Sequence, residues 1–193
     1  MGLFDAFKKK DCEICGKEVG MFGYKKLEDG EICKDCLKLL SPWFDDRRHS
    51  TVEQIKQQIA YREENRAALN GFRPTMAFGE CYTLRVELEN GVPSRFVVER
   101  TDDYKEENAD IISFRDVISF NIDVQESKQE LMARNSKGEE ISYNPPRFEY
   151  SYEFYAKLHV NNPYFDNISF RMFRDEVKLE TKILHAEIGR AHV

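Results

Sequence analysis

The stretch Cys12-Glu-Ile-Cys15-Gly16, followed after the interval 17–32 by Cys33-Lys-Asp-Cys36, decides the fold of the N-terminal part of this chain. Two residues between paired cysteines allow both sulfurs to reach one tetrahedral ion, at about 2.3 Å from a zinc. The double pattern is typical of a four-thiolate zinc site, so Cys12, Cys15, Cys33 and Cys36 are the predicted ligands. A redox dithiol and an iron–sulfur cluster are the alternatives, and the βαβ setting of a redox dithiol is not indicated. Because all four ligands come from the protein, we predict one structural zinc ion with no open position for a substrate.

The residues around the cysteines predict a small zinc-ribbon or treble-clef module over 11–44. Gly16 follows the first pair, where the chain must turn sharply, and three further glycines between the pairs suit one or two short hairpins. The second pair opens a predicted helix over 34–40, and Pro42 ends it. The preceding residues 1–10, MGLFDAFKKK, form either a segment that binds weakly to a membrane surface or a frayed tail. We favour the tail, because so short a segment buries little apolar area.

A long connector helix is predicted within 45–71. Ser50 and Glu53 have the spacing of a capping box, and the helix should run to about Leu69. Its apolar stripe is partial and is broken by arginines. The stripe consists of Val52, Ile55, Ile59 and Leu69, and the interrupting residues are Arg62 and Arg66. Asn70-Gly71 is expected to end the helix with Gly71 in a left-handed cap.

Beyond Pro74 the apolar period changes from helical to alternating, which predicts an antiparallel β domain over 72–187. Residues 82–88 alternate, and Asn90-Gly91 then supplies a hairpin turn. Residues 118–124 alternate as well, and the clearest strand runs from Arg147 to Val160. Further strands are expected over 168–172 and 177–179. The predicted fold class is therefore α+β, with the strands curled into a barrel or a sandwich.

Composition and charge limit the function classes. Hydrophobic residues make up 41% and charged residues 33% of the 193 residues, which is globular composition. No apolar run approaches the roughly 20 residues that a membrane span needs, and paired cysteines without a signal peptide favour a reducing cytoplasm. The formal net charge of −6 argues against an extended nucleic-acid interface. The chain shows no phosphate loop, nucleophile elbow or metal-hydrolase pattern, so we predict that it is not an enzyme.

At this point the residues resemble a known bacterial family. The resemblance is carried by Cys12-Glu-Ile-Cys-Gly16, residues 19–30, Ile32-Cys-Lys-Asp-Cys36 and Leu40-Ser-Pro-Trp-Phe44, and it continues through 50–55, 60–64, 142–152 and 160–166. These segments are similar to a zinc-ribbon family catalogued as domain of unknown function 4428. The resemblance implies zinc at the four cysteines and implies no known enzymatic activity. The second half also resembles, more weakly, a pleckstrin-homology or GRAM-type barrel. This resemblance rests on the succession of its predicted strands and on residues 112–120.

The C-terminus departs from this family. The resemblance implies a further amphipathic helix, which the chain lacks. Its last residues, Ile188-Gly-Arg-Ala-His-Val193, match the translation of a common sequencing-library adapter. We therefore expect 188–193 to be an artefact and exclude them from fold reasoning.

Three functions follow from these observations. The leading hypothesis is an interaction or adaptor module that binds another protein and takes no small-molecule substrate. Nucleic-acid binding through the ribbon is the main alternative, and peripheral membrane binding through residues 1–10 is another. The phosphate contacts for nucleic acid would come from Lys8, Lys9, Lys10, Lys17, Lys25 and Lys26, although Glu13, Glu18, Glu28, Asp29 and Glu31 interleave with them.

Overall fold

The computed structural model describes residues 10–20, 23–100 and 103–180, and its fold is mixed α+β with antiparallel sheets, as predicted. The strands are β1 (Lys10–Asp11), β2 (Glu18–Val19), β3 (Tyr24–Lys26), β4 (Glu31–Cys33), β5 (Met76–Phe78), β6 (Thr83–Glu89), β7 (Val92–Glu99), β8 (Ile112–Ser113), β9 (Val117–Arg134), β10 (Glu140–Val160), β11 (Asn167–Arg171) and β12 (Val177–Glu180). The α-helices are α1 (Lys34–Leu37) and α2 (Val52–Leu69), and short 3-10 helices cover Asp46–His49 and Phe114–Asp116. Neither α-helix combines the length and apolar character that crossing a bilayer requires.

The described chain divides into two compact units. The first lies within 1–78, 83–119 and 158–168, and the second within 79–82, 120–157 and 169–193. The first unit therefore holds the four-cysteine segment, α2 and the strands β5 to β8. The domain boundaries predicted at 44 and 71 both fall inside this unit and stay a prediction. The predicted tail, apart from Lys10, and residues 188–193 lie outside the described residues.

Helix α2 confirms the predicted long helix, but its capping box lies one residue later than predicted. Thr51 Oγ1 accepts a hydrogen bond from the Gln54 amide at 3.2 Å, and Gln54 Oε1 accepts one from the Thr51 amide at 2.8 Å. Ser50 cannot serve as the cap because its buried hydroxyl donates to the Asp46 carbonyl at 2.8 Å. The left-handed cap predicted at Gly71 is also wrong: helical geometry continues through Asn70, and Gly71 has no positive φ.

One face of α2 is buried along its whole length, and this face is polar in the middle. Its buried residues recur every three or four positions, as one helix face requires. They are Ile55, Gln58, Arg62, Asn65 and Leu69. The prediction that Arg62 breaks the buried stripe is therefore wrong, because Arg62 lies within the stripe and has buried partners of its own.

Arg62 belongs to a buried ion pair that joins three segments of the first unit. Its Nη1 lies 2.5 Å from Asp110 Oδ1, and the two side chains are 4% and 0% exposed. The Ser41 hydroxyl donates to Asp110 Oδ2 at 2.7 Å. Burial raises the pKa of the Asp110 carboxyl, and the charge of Arg62 together with the Ser41 hydrogen bond opposes that rise. The pair thus ties α2 to the segment after α1 and to the loop before β8.

Asn65 holds the same loop one turn further along α2. Its Nδ2 donates to Asn108 Oδ1 at 3.0 Å and to the Ala109 carbonyl at 2.9 Å. Its Oδ1 accepts from the Ile111 amide at 2.9 Å. Both polar atoms of this buried amide therefore form hydrogen bonds to the loop before β8 rather than to solvent. Helix α2 thus supports the packing of the first unit and does not only connect two segments.

The strands β5, β6, β7 and β8 form a four-stranded antiparallel sheet in that order. The predicted hairpin turn is confirmed, since Asn90 has φ 54° and Gly91 has φ 81°, the left-handed pair that such a turn requires. The buried cluster beside the sheet joins it to the end of α2. Its members are Leu69, Phe72, Val97 and Ala109.

The strands of the second half form another four-stranded sheet, in which β10 pairs with β9, β11 and β12. The barrel predicted for 72–187 is not confirmed, because no sheet closes on itself within the described part of the chain. Closure would require edge strands to pair with each other. Among the described residues, the edge strand β9 pairs only with β10, and the edge strand β5 pairs only with β6. One face of β9 is exposed although its residues are apolar. These residues are Ile118, Phe120, Ile122 and Val124.

Candidate metal centre

The first cysteine pair lies in a tight turn between two short strands. Strand β1 pairs with β2, and the Cys12 amide donates to the Lys17 carbonyl at 3.0 Å. The Gly16 amide donates to the Cys12 carbonyl at 2.7 Å, and Gly16 has φ 68°. This left-handed conformation favours glycine, which explains the residue after Cys15. The turn folds the chain back between β1 and β2, and of its two cysteines Cys12 is buried and Cys15 is exposed.

The second pair lies where a hairpin enters a helix. Strand β3 pairs with β4, which ends at Cys33, and Cys33 is the N-cap of α1. Its Sγ accepts a hydrogen bond from the Cys36 amide at 3.4 Å, while its own amide donates to Cys12 Sγ at 3.2 Å. The predicted helix is confirmed but is shorter, ending at Leu37 rather than Leu40. The order of turn, hairpin, turn and helix is the one predicted for the module.

All four predicted ligands come together in one cluster. The Sγ atoms of Cys12, Cys15, Cys33 and Cys36 lie within 4.8 Å of one another. The separation of Cys15 Sγ and Cys33 Sγ is 3.8 Å. A tetrahedral zinc with ligands at about 2.3 Å separates its sulfurs by about 3.8 Å. The four thiols therefore have the donor set and the spacing that a tetrahedral metal ion needs.

The thiols of the cluster differ in their acidity. Burial opposes ionisation of Cys12, but hydrogen bonds from the backbone of Cys33, Cys15 and Ile14 outweigh it and lower the pKa of this thiol to about 6. Burial raises the pKa of Cys36, and hydrogen bonding to the other three sulfurs raises it further. A bound cation would stabilise all four groups as thiolates, which is the form that ligates metal.

The core under the cluster is completed by α2. The cluster cysteines pack with Leu27, Ile32, Leu40 and Ile55, and partly buried residues around them include Val52 and Ile59. The Asp29 carboxylate accepts a hydrogen bond from the Val52 amide at 2.7 Å, so the β3–β4 hairpin also caps α2. The sequence offered a signal for this contact, since Asp29-Gly30 marks a turn, but nothing in the pattern placed that turn against the helix.

The fifth cysteine and the two histidines among the described residues lie outside the cluster. Cys81 belongs to the second unit and is half-buried. His49 Nδ1 lies 2.6 Å from Asp46 Oδ1 on the exposed 3-10 helix. His159 Nδ1 lies 2.9 Å from the Asp166 carbonyl oxygen. Neither histidine is part of the four-thiol cluster, so the cluster consists of sulfur donors alone.

Comparison with known proteins matches the segment that contains the four cysteines. A family model described as a domain of unknown function (DUF4428) matches residues 10–58. The resemblance seen in the sequence is confirmed over that range, and its extension beyond residue 58 stays a prediction. No curated protein and no solved structure matches the chain. The matched range ends within α2, so it includes Val52 and Ile55, which pack with the cysteine cluster, but not Ile59.

Proposed function

We propose that Cys12, Cys15, Cys33 and Cys36 hold one zinc ion whose role is structural. The observation that carries this proposal is the close approach of the four sulfurs, which lie within 4.8 Å of one another. The Cys33 and Cys36 amides of the second turn donate hydrogen bonds to two of these sulfurs. Four thiolates are a donor set that selects zinc or an iron–sulfur cluster. Zinc is the better fit because a single ion at the centre of a tetrahedron reproduces the 3.8 Å separation of Cys15 and Cys33.

The zinc supplies folding free energy to a segment with little core of its own. Strands β1 to β4 are two or three residues long and α1 has four residues. Elements of this length are not stable alone, and structural zinc commonly replaces a missing core in such modules. With four protein ligands, the ion keeps no open position for water or substrate. We accordingly propose a non-enzymatic role.

The role that we propose is that of an interaction module whose zinc-stabilised hairpins present a binding surface to another protein. Support comes from the exposed residues of the β3–β4 hairpin, which the zinc holds in a defined place beside α2. Nucleic acid is the alternative ligand for the same surface, and a steep decrease of binding with salt would favour it. The membrane alternative depends on residues 1–9, which lie outside the described residues.

Metal analysis of the purified full chain tests the metal proposal. We expect one zinc per chain in the wild type and in a Cys81→Ser variant. In a Cys33→Ser variant, we expect the set of zinc-protected thiols to be lost. A visible absorption band with bound iron would contradict zinc, and metal-free protein with intact thiols would contradict any metal. The binding role is tested by comparing proteins retained by the two variants, because only Cys33→Ser should lose a partner that binds the hairpins.

A further inference from the structure

A basic pocket lies between strand β3 and the 3-10 helix of residues 46–49, with a volume of about 500 Å³. It is lined by Tyr24, Lys25, Lys26, Leu27, Arg47 and Arg48. Four of these six side chains carry a positive charge, and the other two are an aromatic ring and a core leucine. We call this site the basic pocket. No acidic side chain lines it.

The basic residues of the pocket differ from Lys10 and Lys17 in having no ion-pair partner in the part of the chain that the structure describes. Lys10 pairs with Glu31, and Lys17 Nζ lies 3.1 Å from Asp35 Oδ2. Both lysines are therefore already partnered. By contrast, within the described residues no ion pair involves Lys25, Lys26, Arg47 or Arg48, and the acidic residue of the 3-10 helix, Asp46, pairs with His49 at 2.6 Å. Lys34 and Lys38 also have no ion pair among the described residues, but they lie on α1 and at its end, and neither lines the basic pocket.

The two walls of the basic pocket are tied to each other and to α2. Arg47 Nη1 donates a hydrogen bond to the Lys26 carbonyl across the pocket. Strand β3 is paired with β4, which leads to Cys33, and the Glu28 amide donates to the Ser50 carbonyl at 3.0 Å. The backbone walls of the pocket and the Arg47 guanidinium are therefore held in place before a ligand arrives, which lowers the ordering cost of binding, whereas Lys25, Lys26 and Arg48 are exposed side chains.

Like charges are held close together in this pocket. Burial lowers the pKa of the Arg47 guanidinium, and the neighbouring charge of Arg48 lowers it further. Since two guanidinium groups repel each other, an anion placed between them relieves that repulsion. Arginine pairs bind tetrahedral oxyanions with two parallel hydrogen bonds each, and lysines add point charges.

We propose that the basic pocket binds a phosphate monoester group, carried either by a small molecule or by a phosphorylated side chain. Four cations within about 500 Å³ suit one compact dianion. A nucleic-acid backbone suits the site less well, because a line of phosphates would run past the exposed carboxylates of Glu28, Asp29 and Asp45, which adjoin the pocket in sequence. The inference rests on the proposed function, since the zinc cluster anchors the end of the β3–β4 hairpin.

Calorimetric titration of the zinc-loaded full chain tests the proposal with three probes. They are phenyl phosphate, a peptide carrying one phosphoserine with its unphosphorylated form as reference, and an oligonucleotide without terminal phosphates. The test variant is Lys26→Gln with Arg48→Gln, which leaves the Lys26 carbonyl and Arg47 in place. The control variant is Lys56→Gln with Arg66→Gln, which removes the same charge from the exposed side of α2.

We expect both monoester probes to bind, and the test variant to lose roughly 30-fold or more in affinity while the control variant changes less than about threefold. A phosphopeptide that binds tenfold tighter than phenyl phosphate would identify a protein as the source, and equal affinity would identify a small molecule. Equal affinity of test variant and wild type, or tighter binding of the oligonucleotide, would overturn the proposal. A chain without zinc would instead refute the proposed function, so the two failures are distinguishable by metal content.

Discussion

Replacing Cys33 by serine removes one thiolate from the cluster while keeping the cap of α1. Cys33 is the N-cap of α1, and its Sγ accepts the Cys36 amide at 3.4 Å. Serine is a favoured N-cap residue, so its hydroxyl can accept the same hydrogen bond. Cys33 is 1% exposed, and its sulfur lies 3.8 Å from that of Cys15. The substitution therefore acts on the metal site and hardly on local helix geometry.

The expected loss in zinc affinity follows from the number of ligands. Structural zinc binding is worth about 10–16 kcal/mol at neutral pH. If the four ligands contribute equally, removing one weakens binding by about 2.5–4 kcal/mol, or roughly 100- to 1000-fold. Competition with a zinc chelator on the full chain measures this difference. Cys81→Ser is the matched control, because Cys81 lies outside the cluster, and it should bind zinc as the wild type does.

The structure also predicts where unfolding stops in the Cys33→Ser variant. Ile55 packs in the cysteine core, so the N-terminal half of α2 should lose hydrogen-exchange protection together with β1 to β4. The C-terminal half should keep its protection, because Asn65 and Leu69 are held by the loop before β8 and by the buried cluster of the sheet. Unchanged zinc affinity, or equal loss of protection along the whole first unit, would refute the reasoning.

Three further substitutions test the packing around the module by denaturant unfolding. Arg62→Met should cost about 3–5 kcal/mol because it leaves a buried carboxylate without its partner, whereas Arg66→Met, at an exposed position, should stay within about 0.5 kcal/mol; similar values for both would contradict the buried pair. Thr51→Ala should cost about 1 kcal/mol because it removes the capping hydrogen bond, and an unchanged midpoint would show that the cap is redundant. Gly30→Ala should cost about 1–3 kcal/mol because the added Cβ would lie 2.7 Å from Val52 Cγ2, and a neutral result would mean that hairpin and helix are not in close contact.

The four-cysteine cluster was predictable because the spacing within each cysteine pair is local. Two residues between paired cysteines determine which sulfurs can share an ion, whatever surrounds them. Only the approach of the two cysteine pairs to each other depends on the fold, and it is set by the hairpin between them. The Asn90-Gly91 turn was predictable for a similar reason, since both residues tolerate the left-handed conformation that the turn requires.

The role of α2 was not predictable from its own residues. Its residues are mostly polar, and the sequence predicted Arg62 and Arg66 as interruptions of an apolar stripe, although Arg62 is buried and only Arg66 is exposed. The burial of Asn65 was not predicted. Arg62 and Asn65 become core residues only because Asp110 and Asn108, more than forty positions away in sequence, supply their partners. The capping box lies one residue later than predicted for a local reason, since the Ser50 hydroxyl donates to the Asp46 carbonyl of the preceding 3-10 helix.

The sequence by itself determined the two cysteine pairs, the long helix and the alternating strands, because each depends on spacing within a few residues. The tertiary structure alone decided that α2 completes the core of the cysteine module, that four basic residues from two segments share one pocket, and that no described sheet closes. These features depend on which distant groups meet. A charged or amide side chain is stable in a core only when such a partner is present, and the residues near it in sequence do not reveal that partner.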